Sequence, residues 1–253
     1  MGTTIRPRLV LASASPARRK LLQAAGIEPE VLVSGVDESQ VDHSTPEALS
    51  LTLARLKAQA VADRLDPSIA GGTAGSSGGT AGSSSGETAG ASSGNSTAPA
   101  NGGTANGQPH TLVLGCDSVL AFDGEILGKP ADADEAVRRW RNMRGRSGVL
   151  HTGHSLVDLN TGQEVGRVAG TAVHFAAVTD DEIEAYVATG EPLYVAGAFT
   201  LDGLGGPFVE RIDGDPGTVI GLSLPLLRGM LAEFGVRITD LWTAGGAGPN
   251  GSR

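Results

Sequence analysis

Short apolar runs and longer mixed stretches take turns along this chain. The run at 9–12 has the pattern of a buried strand, and Ser15-Pro16 after it supplies an N-cap with proline at the first helical position. Gly26 lies past the end of that helix. Residues 31–33 predict a second strand. Thr45-Pro46 then repeats the start signal, for a helix with Leu49, Leu53, Leu56 and Ala60 on one face. Residues 111–114 read as a further buried strand, and Asp123-Gly124 suits a tight hairpin turn. Asp132 with Glu135 predicts a capped helix ending near Gly145, and Thr179 with Glu182 predicts another, stopping at Gly190. Strands are expected around 149–159 and 164–176, parted by Asn160-Thr161-Gly162, and a last helix over 225–234. Several strands joined by hairpin-length turns, alternating with helices, predict an α/β fold: a mixed twisted sheet flanked by helices.

The segment 71–107 breaks this alternation. It holds Gly, Ser, Thr, Ala and Asn with a single Pro, Glu87 is its only charge, and it lacks Val, Leu, Ile, Met and aromatic residues. Residues 71–77 (GGTAGSS) recur at 78–84. Nothing in such a stretch can be buried to offset its ordering entropy, so a disordered insertion is expected. A phosphate-cradling glycine loop is disfavoured, because such loops are short and lie between a strand and a helix. The tail 245–253 reads as disordered for similar reasons. One domain built from 1–70 and 108–244 follows.

Charge narrows the function. Formal net charge is −9, against the broad basic surface that a long nucleic acid needs as partner, though a nucleotide needs only a few local cations. Cys116 is the only cysteine, so no intramolecular disulfide is expected. No signal-peptide pattern and no membrane-length apolar run is visible, and a cytoplasmic protein without membrane partners is expected.

Candidate chemistry gathers at predicted strand ends and helix starts. Ser13, Ser15 and Arg18 surround the start of the first helix, where free N–H groups and the macrodipole favour an anion. Ser-Pro is also an ordinary helix start, and arginine pairs are commonly solvated. Asp117 follows an apolar strand, either as a strand-end cap or as a catalytic or metal-binding carboxylate. Lys129 sits in a restricted loop, with an exposed lysine as the plainer reading, and Lys57 lies at the edge of its helix's apolar face, where it could simply snorkel. Asp37 and Glu38 could hold a hard cation. A zinc site from His151, His154 and His174 is disfavoured, because residues three apart on a strand face opposite sides. Cys116 reads as a buried small residue. Together the carboxylates and cations are what triphosphate hydrolysis requires.

The order of these motifs resembles the Maf family. The similarity runs through 11–19 (LASASPARR), 36–38 (VDE), Leu56-Lys57-Ala58, Cys116-Asp117-Ser118, 124–130 (GEILGKP) and His151-Thr152-Gly153. It continues through 186–192 (YVATGEP), 196–199 (AGAF), Asp213-Gly214-Asp215 and Gly221-Leu222. The resemblance implies a fold related to the inosine triphosphatases and nucleoside triphosphate pyrophosphatase activity, non-standard or modified nucleotides included. A divalent cation, Mg²⁺ or Mn²⁺, is expected with it. It implies Asp117 as proton acceptor, Glu38 and Asp117 as metal ligands, and Ser13, Arg18, Lys57 and Lys129 as triphosphate ligands. A homodimer is a further expectation from it. Where the pyrimidine-directed branch carries arginine, threonine and glutamine, this chain has Ala17, Ser118 and Asp202. Ionised Asp202 is acceptor-only and suits the paired donors of a guanine-like edge better than a uracil edge, which points to a purine. A nucleotide-binding regulator of cell division or septum formation, without significant turnover, is the alternative. A kinase lacks its Gly-Lys-Ser/Thr loop here.

Overall fold

The computed structural model describes residues 6–38, 41, 45–66 and 109–243. The segment 71–107 and the tail 245–253, read above as disordered, lie outside the described residues.

Local signals set most element boundaries. β1 (Arg8–Leu11) leads to α1 (Pro16–Ala24), where the Ser15 side chain accepts from the Arg18 N–H and Pro16 opens the first turn. β2 (Glu30–Val31) is shorter than the pattern predicts. Thr45 caps α2 (Pro46–Leu65) through the Ala48 N–H. β3 (Thr111–Phe122) and β4 (Glu125–Leu127) form a hairpin across Asp123 and Gly124. Both turn residues have positive φ, 55° and 84°, as a two-residue turn matching strand twist demands. Asp132 caps α3 (Ala133–Met143) through Glu135 N–H, while the Glu135 carboxylate takes Ala131 N–H rather than closing a full capping box. β5 (Ser147–Asp158) and β6 (Gln163–Phe175) follow, then α4 (Asp180–Ala188) with the Thr179–Glu182 capping box complete. β7 (Val209–Asp213), α5 (Pro216–Ile220) and α6 (Leu224–Glu233) complete the order.

All seven strands join one sheet in the order β2-β1-β3-β5-β6-β7, with β4 also on β3. β2, β1 and β3 run parallel, and the remaining pairs are antiparallel. The result is an α/β fold with a mixed sheet flanked by helices. Alternation along the strands separates two faces. Val10, Ala12, Val113 and Val157 meet Ala58, Val61 and Ala62 of α2. On the opposite face, Leu9, Leu11, Leu112, Leu114 and Leu156 meet α1 and α6. Further along that face, Leu120, Phe122, Leu150 and Phe175 meet α3 and α4.

Two further elements differ from the sequence reading. β3 does not end at Leu114. β5 pairs with it from Leu112 to Ala121, so Asp117 is a mid-strand residue. On the other edge, β1 covers β3 only up to Leu114 and β4 rejoins it at Leu120. Among the described residues that edge therefore opens between 115 and 119, and Asp117 sits in the opening. The buried face of α2 also differs. It comprises Ser50, Leu53, Ala54, Lys57, Ala58, Val61 and Ala62, while Leu56 is exposed. Small residues lead because the facing strands carry glycines. A Cβ on Gly115 would lie 2.2 Å from Ala54 O, and one on Gly153 would lie 2.2 Å from Ser50 O. Helix and sheet approach backbone to backbone, which an apolar stripe read as leucines does not anticipate.

Candidate active site

Close approach of α2 decides where Lys57 goes. It is not the snorkelling lysine of the sequence reading but is 8% exposed, in the middle of the packed face. Its Nζ bonds Asp117 Oδ1 and also sits 2.7 Å from Glu38 Oε1. Glu38 lies in the segment after β2, so one ammonium joins both carboxylates named as metal ligands. Asp117 is buried, and burial pushes its carboxyl pKa up, partly countered by the Lys57 and Arg18 charges. Glu38 has the opposite outcome. Burial works against its charge, but Lys57, with help from Lys129 and Arg18, holds its pKa below the ordinary value. Two neighbouring carboxylates with pKa values pushed apart are a common arrangement for acid–base chemistry.

Arg18 closes the other side. Its Nε donates to Gly221 O at 2.8 Å, Nη1 to Ser13 Oγ at 3.2 Å and Nη2 to Ser118 Oγ at 3.2 Å. Gly221 is obligatory in two ways: its φ is 116°, and a Cβ there would stand 2.9 Å from Arg18 Nε. Ser118 then pairs with Thr152 Oγ1 at 2.8 Å, which donates to Thr218 O at 2.8 Å. Thr152 has one hydroxyl proton, spent on Thr218, so Ser118 donates to Thr152 and accepts from Arg18. The proton order in this chain of bonds is thereby fixed.

Behind it lies His154, fully buried. Its Nε2 accepts the Ser223 N–H at 2.9 Å and its Nδ1 lies 3.0 Å from Thr152 O. Only the neutral ring with hydrogen on Nδ1 satisfies both partners. Burial, aided by the Arg18 charge, pushes its pKa down to about 4, in keeping with that tautomer. His151 faces Glu47 at 3.5 Å and His174 bonds Asp213 at 2.9 Å, so the three histidines do not share a centre. Cys116 is buried, its thiol pushed up to about 12 by burial, and is a core residue.

The structure thus brings the candidate residues into two groups at the opening, Glu38, Lys57 and Asp117 on the α2 side and Ser13, Arg18 and Ser118 on the other, with the Arg18 charge acting on both carboxylates. Lys129 is exposed nearby, in a loop whose Gly128 carbonyl accepts from Arg139 Nη1 at 2.7 Å. Ala17 is half-buried on the first turn of α1. Asp202 is exposed in the loop between Phe199 and Gly205, and hydrogen-bonds neither group among the described residues. Sequence reasoning missed Thr152, Thr218 and the Gly221 carbonyl as partners, together with the glycines that admit α2. Gly115 between apolar neighbours was the available signal, since a glycine inside a strand marks close backbone approach.

As to a metal, no three His, Cys, Asp or Glu residues gather in a metal-binding group among the described residues. Two carboxylates on one cation nevertheless match Mg²⁺ or Mn²⁺, which take few protein oxygens and fill the remaining positions with water and phosphate. The donor set fits the ion. No described helix is long and apolar enough to cross a membrane.

Known proteins are similar to this chain over most of its length. The family model for Maf-like proteins matches residues 8–234. A nucleoside triphosphate pyrophosphatase of Salinispora tropica is 58% identical over 245 residues, covering 97% of this chain and 92% of that protein. One of Streptomyces coelicolor is 51% identical over 237 residues, 94% of this chain and 95% of that one. One of Nostoc punctiforme is 44% identical over 236 residues, 93% and 98%. A crystal structure of a nucleoside-triphosphatase / dITP/XTP pyrophosphatase from Mycobacterium abscessus matches 68% of this chain and 75% of that one. The two share 13% identity, with a TM-score of 0.33.

Proposed function

The chain belongs to the Maf family and is a nucleotide hydrolase; we propose that it cleaves nucleoside triphosphates to monophosphate and pyrophosphate at the opening in the β3 edge. The observation that carries this reading is the Glu38–Lys57–Asp117 group beside the serine-tethered Arg18.

Asp117 is the general base. Its Oδ1 is engaged by Lys57, and Oδ2 is assigned to take the proton of the attacking water. The water oxygen bonds the α-phosphorus, the bond from the α-phosphorus to the bridging oxygen breaks, and pyrophosphate leaves with that electron pair. Burial raises the basicity of Asp117, while Lys57 keeps enough charge beside it to hold the ionised form. Ser13, Arg18 and Lys129 bind phosphate oxygens, with Arg18 held in place before substrate arrives by its three tethers. Glu38 and Asp117 would hold a divalent cation, which supplies neutralisation of phosphate charge. Lys57, bonded to both carboxylates, would add its charge to the triphosphate. Ala17, Ser118 and Asp202 govern base choice, with Asp202 favouring a purine edge bearing two donors.

The test is pyrophosphate release from a panel of standard and modified nucleoside triphosphates with Mg²⁺ or Mn²⁺, for wild type and Asp117→Asn. Monophosphate plus pyrophosphate, with a loss of about 10²–10⁴-fold in the variant, is expected. Nucleotide binding without release under every condition would turn the reading to a regulator. Asp202→Asn should shift the ranking of GTP against UTP, and an unchanged ranking sinks the purine assignment.

A further inference from the structure

A second carboxylate is organised as thoroughly as Asp117 but touches none of the phosphate-side residues. Glu191 follows α4 and opens a short 3-10 turn, Glu191–Tyr194. Its Oε1 accepts from Tyr186 Oη at 3.1 Å, from the Thr200 hydroxyl, and from Gly205 N–H at 3.1 Å. Its Oε2 accepts Leu204 N–H at 3.1 Å. Burial works to raise its pKa, but these donors outweigh it and hold the group ionised. Two of the donors are backbone groups of the loop that carries Asp202.

Beyond Glu191 the loop is held by its own backbone, with Gly206 N–H on Gly203 O at 3.1 Å and Gly205 N–H also on Thr200 Oγ1 at 3.3 Å, while its side chains add little. Gly203, Gly205 and Gly206 offer no side chains, and Leu204 is 58% exposed. A Cβ on Gly203 would stand 2.7 Å from Glu191 Oε2, and one on Gly205 would stand 2.5 Å from Tyr186 Oη. The backbone is wrapped so closely round the carboxylate and the phenol that a Cβ at either glycine would press on them. Tyr186 is itself fixed, buried edge-to-face against Trp140 and Phe208, and its Oη also accepts the Thr200 N–H at 3.2 Å. Just before the loop, Gly197 N–H donates to Gly128 O at 3.0 Å, next to Lys129, and a Cβ on Gly197 would strike Leu120, two residues beyond Ser118. The chain leaves the phosphate side there and enters the Glu191 cage.

We propose that Glu191 is a positioning residue for base selection, setting the shape of the 199–205 loop and so the place of Asp202 without touching substrate. This rests on the reading that Asp202 faces the base. A carboxylate that satisfies several donors at once fixes a loop more tightly than any single bond, and recognition depends on such support for the contacting residue.

The experiment measures kcat and KM over the nucleotide panel for wild type, Glu191→Ala, Glu191→Gln and Asp202→Asn. Inhibition by inorganic pyrophosphate is the readout that contains no base. In Glu191→Ala the kcat/KM ratio between best and worst base should fall about tenfold, the size of a lost hydrogen-bond-level discrimination, with the pyrophosphate Ki unchanged. Glu191→Gln, which keeps one acceptor oxygen, should fall between, and it serves as the readout if the alanine variant does not fold. A base ratio that stays put, or a Ki that rises in step with every KM, overturns the proposal in favour of general structural support. If Glu191→Ala flattens the ratio while Asp202→Asn does not, the loop inference stands and the Asp202 reading fails.

Discussion

The two faces of the sheet around β3 are packed by opposite means. Where α2 crosses the sheet, contact is made by Ser50, Ala54 and Ala58 against Gly115 and Gly153. Where α3 and α4 cover the other face, it is made by interlocking rings: Trp140 lies edge-on to Phe175 at 5.6 Å and to Tyr186 at 5.7 Å, and Phe175 to Phe199 at 5.0 Å. Small residues bring backbones together and so let a long charged side chain be held at full depth, as Lys57 is beside Asp117. Large rings keep backbones apart and give a stiff platform with polar tips, among them Tyr186 Oη under Glu191 and Trp140 Nε1, which donates to Ala198 O at 2.7 Å. Close packing serves the chemistry, and ring packing serves the loop beside it.

That division predicts unequal costs. Arg18→Ala removes the group tethered to Ser13, Ser118 and Gly221 and should lower kcat/KM by about 10²–10³-fold, as loss of a preorganised donor does. An effect below tenfold in a steady-state assay would take Arg18 out of the phosphate group. Gly115→Ala forces α2 off the sheet. The cost should be ~1–3 kcal/mol of stability by denaturant unfolding. Turnover should drop about 10²-fold even in the folded protein, because Lys57 and Asp117 separate.

His154 gives a pH effect of known sign. Its folded pKa of about 4 lies below the ordinary 6.5, so its contribution is complete above pH 6.5 and is lost as pH falls towards 4. Roughly 3 kcal/mol is at stake across that window. Thermal melting of His154→Gln should show a shallower decline there than wild type, and parallel curves would contradict the locked neutral ring. Trp140→Phe should cost ~1–2 kcal/mol through the unpaired Ala198 carbonyl, with turnover near wild type in the folded fraction. Equal losses of turnover in Trp140→Phe and Gly115→Ala would erase the contrast between the two faces. The smallest effect is expected from removing 71–107. That segment joins α2 to the start of β3, and Thr111 stands about 20 Å along the strand from Asp117. Initial rates should stay within about twofold of wild type, since closing a shorter loop changes entropy only slowly with length.

What was legible in the sequence was local chemistry. Ser15-Pro16, Thr45-Pro46, Asp123-Gly124 and Thr179 with Glu182 each carry their own cause within four residues, and each appears where the pattern puts it. β3 was cut short because Gly115, Cys116, Asp117 and Ser118 do not look like a strand, and only the β5 ladder makes them one. The burial of Lys57 was invisible because it depends on glycines some sixty and a hundred residues away in β3 and β5. Arg18 was legible as a cation near a helix start, but its acceptor is a backbone carbonyl 203 positions later. Glu191 was legible as part of the 186–192 motif but not as a loop anchor, since its donors are spread over separate segments and follow no period.

The trapped ring of His154 also gives the protein an internal spectroscopic probe. Its Nδ1 proton is sealed between Thr152 O and the core, so it should exchange slowly with solvent and give a sharp imidazole resonance far from the amide envelope. Nε2 records the Ser223 bond, two residues from the carbonyl that anchors Arg18. An anion drawn to that guanidinium would be felt by both nitrogens. Occupancy of the site could then be followed by nitrogen chemical shift in the unmodified enzyme, without a labelled substrate and without turnover.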